Sequence, residues 1–356
     1  MALDTSNLVE LTMAICDIES VSGNEAALAD EVESLLDKCA HLSVVRDGNA
    51  VVASTNLNRS SRVVIAGHID TVPIANNLPS QLHHFEREQV IVGRGTVDMK
   101  AGVAVMLKLA VELVNPKVDI TWVFYDNEEV ASDLNGLGRL VRNRPDLIKG
   151  DFAVLCEPTS ALVEGGCNGT IRIEVSATGT KAHSARPWMG ENAIHKLAPA
   201  LEKLAAYQPQ TINVDGLDYR ESLNAVMATA GIATNVIPDQ ATLTVNYRFA
   251  PSRSGEEAEA LMREFFTGYQ VTVTDLAVGA RPGLNTEQAQ AFMASLGTEV
   301  KPKYGWTDVA RFSALGIPAV NYGPGDPSLA HADNENVPVG HLFDCEAGLR
   351  RWLSQN

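Results

Sequence analysis

The sequence predicts an α/β protein of two domains, in which a layered domain on a mixed, mostly parallel sheet is interrupted by a smaller α+β domain. Three observations predict it. Over residues 1–164, short apolar runs alternate with stretches of helical period, the pattern of a sheet covered by helices. Over 165–278, strands alternate polar and apolar residue by residue, the pattern of a half-exposed sheet. Over 279–356, a helical stretch and a fully apolar run return, so the first domain resumes. A chain of 356 residues suits about two domains.

The elements follow in order. "SGNEAALADEVESLL" opens with Ser22 and Glu25 as a capping box and continues at helical spacing through Leu28, Val32, Leu35 and Leu36. "SVVRDGNAVVAS" places two β-branched runs around Asp47-Gly48, a hairpin. "RVVIAGH" is a strand, "DMKAGVAVMLKLAVELV" an Ala- and Leu-rich helix, and "DITWVFYDNEE" a strand. "SDLNGLGRLVRNR" is a helix and "DFAVLCEP" a strand. In the middle region "GTIRIEVSATG", "NAVMATAGIAT", "ATLTVNYRFAP" and "YQVTVTDLAVG" are strands. "ENAIHKLAPALEKLAAY" and "SGEEAEALMREFF" are its helices. "TDVARFSALGIPAVNYGPG" closes with a helix and a buried strand.

Hydrophobic content of 45% and charged content of 20% are those of an ordinary globular chain. A net charge of −16 argues against nucleic acid or an anionic membrane as partner. The N-terminus lacks a basic region before its apolar residues, which argues against a signal peptide. Five scattered cysteines without a CxxC pair read as reduced thiols of a cytoplasmic protein.

Chemistry-bearing residues collect where strands end. In "GHIDTVP", His68 and Asp70 are two apart on an extended segment and point to the same side. A carboxylate there can take the second N–H of a ligating imidazole and fix its tautomer. Asp98, in "GRGTVDMKAG", opens a helix, where a carboxylate is ordinarily an N-cap. Glu128 and Glu129, in "YDNEEV", are either solvated surface or a metal ligand beside a free base. Glu157 follows the strand of "VLCEP", and His331 lies in the polar loop "LAHADNENV". His83 and His84 read as exposed loop and His195 as helix surface, while His41 and His341 have no acidic companion at a strand end. Ligand sites of open α/β sheets lie at the carboxyl ends of strands. Carboxylates gathered there repel one another unless a cation sits between them, and imidazole with carboxylate suits zinc-like ions.

At this point the chain resembles the di-zinc aminoacylases and carboxypeptidases, the acetylornithine deacetylase-like peptidases. The resemblance rests on "GHIDTVP", "GRGTVDMKAG", "YDNEEV", "CEPT", "KAHSARPWMGENAIH", "TNVIPD" and "LAHADNENV", in the family's order along essentially the whole chain. It implies a zinc-peptidase-like catalytic domain with an inserted lid and dimerisation domain, and metal-assisted hydrolysis of the amide of an N-acyl amino acid. It implies two zinc ions, with cobalt as a substitute: one on His68, Asp98 and Glu157, the other on Asp98, Glu129 and His331. Glu at position 157 is similar to members acting on acylamino acids or peptide C-termini, whereas aminopeptidase relatives carry Asp there. Glu128 would be the general base, Asp70 the partner of His68, and His183 an oxyanion donor. Asn235 and Arg248 would grip a substrate carboxylate, and Gly323 and Gly325 of "YGPGD" would line the substrate pocket. A cis peptide at Asp98–Met99, a small-molecule substrate and a homodimer through the lid complete what the resemblance implies. One departure is Ala101-Gly102 after the DMK segment, where many relatives have two glycines.

Overall fold

The computed structural model describes residues 3–85 and 88–354. It divides into two compact units. The first comprises Met1–Gly165, Gly283–Lys301 and Arg311–Asn356, and the second Gly166–Pro282 with Pro302–Ala310. The Pro302–Ala310 stretch, which the sequence pattern groups with the resumed first domain, is thus part of the second unit. Its Lys303 carbonyl accepts from the Asn168 N–H, and its Thr307 carbonyl from the Cys167 thiol.

In the first unit an eight-stranded mixed sheet has the order Ser43–Asp47, Ala50–Ser54, Asp119–Tyr125, Arg62–His68, Phe152–Leu155, Ala319–Asn321, Val163–Gly165 and Val300–Pro302. The four strands from Asp119–Tyr125 to Ala319–Asn321 run parallel. All seven residues of Asp119–Tyr125 are buried, as a strand covered on both faces requires. Ser43–Asp47 and Ala50–Ser54 form the expected hairpin. The fold class is the one the sequence pattern predicts.

The helix Lys100–Glu112 covers this sheet and buries nearly every residue from Lys100 to Ala110. Gly102 is what lets it approach: a Cβ there would stand 2.2 Å from the Cys156 carbonyl oxygen. The helix therefore packs directly on the strand end that carries Glu157. The Asp98–Met99 peptide is cis, as the resemblance implies.

Three local expectations need correction. The second helix begins at Ala26 with Glu25 at its N-cap and has no side-chain cap. Ser22 is not part of a capping box, because its hydroxyl is bonded to Asp70 instead. His83 and His84 are not in a loop: Gln81–Phe85, which carries them, pairs antiparallel with Glu88–Val92. Asp98 is not an N-cap, since Met99 holds that position and Asp98 turns its oxygens to two histidines.

The second unit has a four-stranded antiparallel sheet in the order Ser222–Ala230, Gln240–Phe249, Gly169–Thr178 and Gln270–Ala277. Its core joins Ile171, Ile173, Val175, Leu243 and Val245 to Ala258 and Met262 of the helix Gly255–Phe265. Buried and part-exposed residues alternate along Gln240–Phe249, the period-two pattern seen in its sequence.

Candidate active site

The parallel strands of the first unit present their carboxyl ends together. His68 is the last residue of its strand, and Asp126 to Glu129 follow the neighbouring strand Asp119–Tyr125. Glu157 follows Phe152–Leu155, and the loop Tyr322–Gly325 follows Ala319–Asn321.

Asp98 is the centre of the cluster. Its Oδ1 lies 3.0 Å from His68 Nε2, and its Oδ2 lies 3.4 Å from His331 Nε2. His331 Nε2 is also 2.9 Å from Glu129 Oε1. His68, Asp98 and Glu129 each offer a donor atom within 4.8 Å of the others. Each oxygen of one carboxylate thus faces its own imidazole.

Asp70 organises the buried side. His68 Nδ1 stands 3.1 Å from the Asp70 carbonyl and 3.3 Å from its Oδ1, both acceptors, so Nδ1 carries a proton and Nε2 faces Asp98. The same Asp70 carboxylate accepts the Glu128 N–H at 2.9 Å, the Glu129 N–H at 3.1 Å and the Ser22 hydroxyl at 2.7 Å. One fully buried carboxylate therefore fixes both an imidazole and the turn that carries the paired glutamates. Asn127 enters that turn at φ 58°, a left-handed conformation that asparagine tolerates better than most residues. Asp126, just before it, is clamped by Arg139 at 2.7 and 3.1 Å.

Charge follows geometry. Burial alone would depress the His68 pKa, but hydrogen bonds and charge from Asp70 and Asp98 outweigh it and hold it well above the usual value. Hydrogen bonds to Asp98 and Glu129 raise His331 to about 10 against the opposing effect of burial. Burial would raise Asp98 and Asp70, yet the imidazoles hold both below the ordinary aspartate range. Each imidazole thus shares a proton with a carboxylate along the line where a divalent cation would join the same two atoms. Donor types, spacing and charge balance fit a metal site.

Glu157 is buried at the neighbouring strand end, where the Cys156 N–H bonds the Ala66 carbonyl, and it lies outside the three-donor group. Gly323 packs on it: a Cβ there would fall 2.5 Å from the Glu157 carbonyl oxygen. Gly325 sits beside Val97 at φ 93°. His183, Asn235 and Arg248 belong to the second unit. There the strand Ala182–His183 pairs with Val236–Ile237, and the Ser184 N–H bonds the Asn235 carbonyl. His183 Nδ1 accepts the Ala185 N–H at 3.0 Å, which leaves Nε2 as the protonated nitrogen of the neutral ring. Arg248 is half-buried on Gln240–Phe249 and donates from Nε to Asn246.

Ser22, Arg94, Asp126, Arg139 and Glu335 escaped the sequence reading. Ser22 was hidden by its helix-start pattern. Glu335 stands within the quoted "LAHADNENV" stretch, but nothing in its spacing separates it from an exposed loop acid.

A cluster of imidazole and carboxylate donors with Glu128 next to the donor Glu129 in sequence, at the carboxyl ends of a parallel sheet, defines a metal-dependent hydrolase. The chain belongs to peptidase family M20/M25/M40, whose family model matches residues 64–355. It is 46% identical over 358 residues to a succinyl-diaminopimelate desuccinylase of Corynebacterium glutamicum, covering 98% of this chain and 96% of that protein. It is 53% identical over 348 residues to a Mycobacterium tuberculosis protein named provisionally for the same activity, covering 97% of each. Among solved structures the fold is similar to a Staphylococcus aureus tripeptidase, with TM-score 0.79 and 21% identity over 99% of this chain and 98% of that one. It is also similar to a dinuclear metal-binding peptidase of the M20 family from Bacillus subtilis, with TM-score 0.69 and 15% identity over 98% of this chain and 97% of that one.

Proposed function

We propose that this chain hydrolyses the amide bond of N-succinyl-L,L-diaminopimelate to succinate and L,L-diaminopimelate, a step of lysine and cell-wall biosynthesis. The observation that carries the hydrolytic reading is Asp98, shared between His68 and His331, with the Glu128 backbone held on the Asp70 carboxylate that orients His68. The substrate is suggested by the names of relatives that match almost end to end.

In this reading His68, Asp98 and Glu157 would hold one zinc ion and Asp98, Glu129 and His331 another, and the bound ions would supply polarisation of the amide carbonyl and a water pKa lowered toward neutrality. Glu128 takes a proton from the attacking water and returns it to the leaving amine. Its backbone N–H is anchored on Asp70, so the base is held by the same group that orients His68. His183 donates its Nε2–H to the developing oxyanion, a role supported by the Ala185 bond that fixes its tautomer. Arg248 offers a planar fork suited to a substrate carboxylate, with Asn235 as a second polar contact and Gly323 and Gly325 shaping the pocket loop.

The five free cysteines support a reducing, cytoplasmic setting. No helix among the described residues is long and apolar enough to cross a membrane. A homodimer through the second unit is supported by Ser222–Ala230, an edge strand with exposed Val226 and Met227.

Parallel assays with added zinc on N-succinyl-L,L-diaminopimelate, N-acetylornithine and other N-acyl amino acids test the reading. We expect kcat/KM for the succinyl substrate to exceed that for acyl groups lacking its carboxylate by about 10⁴-fold or more, the scale of a site that pairs a substrate's polar group. Preference for another acyl amino acid would transfer the same chemistry to that substrate. Zinc uptake without turnover of any of them would make the chain a binding module.

A further inference from the structure

Glu335 is more than a loop acid beside His331. Its side chain is 1% exposed, and its Oε1 accepts two successive backbone N–H groups, Val97 at 2.9 Å and Asp98 at 3.0 Å. Its Oε2 accepts Arg94 Nη1 at 2.8 Å, and its own carbonyl accepts the Gly93 N–H at 3.0 Å. Arg94, also buried, donates in addition to the Ala332 carbonyl at 3.2 Å and the Pro73 carbonyl at 3.1 Å. These bonds tie the Gly93–Asp98 segment to the Ala332–Glu335 segment. The first ends in Asp98 and the second begins next to His331.

The tie lies where the site most needs it. His68 is fixed by its strand and by Asp70, whereas His331 comes from a loop and adopts φ 66°. The 3.4 Å approach of His331 to Asp98 joins two segments remote in sequence, and Glu335 bonds directly to the backbone of one and belongs to the other. We propose that Glu335, held by Arg94, is a positioning residue that sets Asp98 against His331 and thereby tunes the metal seat those two residues share. It touches neither substrate nor metal and acts through the Asp98 backbone. The inference rests on the metal-site reading above, because it concerns how well that seat is built.

The test uses the full chain and zinc alone, with both affinities measured by chelator competition. Removing groups that orient metal ligands typically weakens affinity 10- to 100-fold. Glu335→Gln should therefore weaken the zinc on Asp98, Glu129 and His331 by about 10- to 100-fold, and clearly more than the zinc on the His68 side. Glu335→Asp keeps the charge near Arg94 but draws the carboxylate back from the amides. It should give the same selective weakening, and it supplies the measurement should Glu335→Gln fail to fold.

Glu221→Gln is the control for general destabilisation. Glu221 is an equally buried glutamate of the second unit that accepts the Ala250 N–H and pairs with Arg253. It should lower thermal stability without altering either zinc affinity. Unchanged zinc affinities in a folded Glu335 variant, or an equal loss in Glu221→Gln, would overturn the proposal. If the unmodified chain itself takes up no zinc, the metal-site reading fails first, and that outcome is distinct from both.

Discussion

The two histidines on Asp98 share a ligand and differ in nearly everything else. His68 ends a central strand, is 1% exposed and has the Asp70 carboxylate behind its other nitrogen. His331 sits on a loop, is 52% exposed and meets Asp98 and Glu129 with the same Nε2. The difference teaches that one carboxylate can join an imidazole held by the sheet to an imidazole held by loops. The first is rigid because backbone pairing and Asp70 determine it. The second depends on longer-range ties such as Arg94–Glu335. Glu128 and Glu129 straddle the divide: both amides hang on Asp70, while the Glu129 side chain turns to His331.

The largest effect should come from separating those two glutamates. Glu128→Gln keeps size and shape but cannot accept a proton at neutral pH. Its kcat should fall at least about 100-fold while zinc content stays at two per chain, the low end for losing a positioned acid–base group. Glu129→Gln should weaken the zinc on the His331 side, with activity partly recovered at high zinc. Metal analysis beside kinetics separates the two variants. Equal zinc loss in both would mean their roles are misassigned, and near-normal turnover in Glu128→Gln would remove the mechanism.

Protons sharpen the comparison next. Metal binding requires both imidazoles to give up the proton shared with Asp98. His331 is raised to about 10, so it holds that proton at pH 7 in the metal-free chain, and His68 is shifted in the same direction. Zinc uptake near neutrality should therefore release protons, and affinity should climb with pH by up to about tenfold per unit for each proton released. Calorimetry in buffers of different ionisation enthalpy reads the proton count, and a count of zero would contradict the assignment. The metal-free fold should respond in the opposite sense. A raised histidine contributes stability that is complete below its unfolded pKa of about 6.5 and is lost as pH rises through the folded value. For His331 that loss should run from about 6.5 to about 10. Asp98 and Asp70, both lowered, contribute above about 3.9 and lose that contribution as pH falls. Zinc should remove the alkaline loss, since the histidines then no longer titrate.

The buried side was the more legible in the sequence, for a physical reason. "RVVIAGHID" shows a strand by its apolar run, and the period of two puts His68 and Asp70 on one side. Elements that bury a full face, such as Asp119–Tyr125 and Lys100–Glu112, announce themselves in the same way. Loop geometry does not. His331 was reached through a motif, while Glu335 and Arg94 act by bonds across the chain that leave no periodic trace. Ser22 was misread because Ser-x-x-Glu is a sound local rule, and the tertiary bond to Asp70 overrode it. The strand Gln81–Phe85 was missed because two adjacent histidines in a polar run carry no alternation that favours a sheet.

Ser22 offers a smaller and more selective effect. Its hydroxyl is one of the donors on the buried Asp70 carboxylate. Ser22→Ala should cost about 1.5–3 kcal/mol of stability, the range for a hydrogen bond to a charged group. Because the backbone bonds to Glu128 and Glu129 remain, kcat should fall far less than in Glu128→Gln. Chemical denaturation and steady-state kinetics on the same preparation would check both halves. A loss of activity as large as that of Glu128→Gln would show that Ser22 serves the chemistry directly.

The smallest effect isolates one backbone angle on the turn that joins the two sides. Asn127 adopts φ 58° immediately before Glu128 and also donates from Nδ2 to Asp126 at 2.9 Å. Asn127→Ala and Asn127→Gly both delete that side-chain bond, so they differ in the cost of the left-handed conformation, set against glycine's larger loss of conformational freedom on folding. Alanine has a Cβ that crowds the next carbonyl there, and glycine does not. The glycine variant should therefore be the more stable of the two by about 1 kcal/mol. Its Glu128 and Glu129 amides should remain on Asp70, so its zinc affinities should match those of the unmodified chain. An alanine variant at least as stable as the glycine one would mean that the turn relaxes out of its left-handed angle once the side chain is gone. In that case the bonds from Asp70, and not the conformational tolerance of residue 127, would be what sets the position of the paired glutamates.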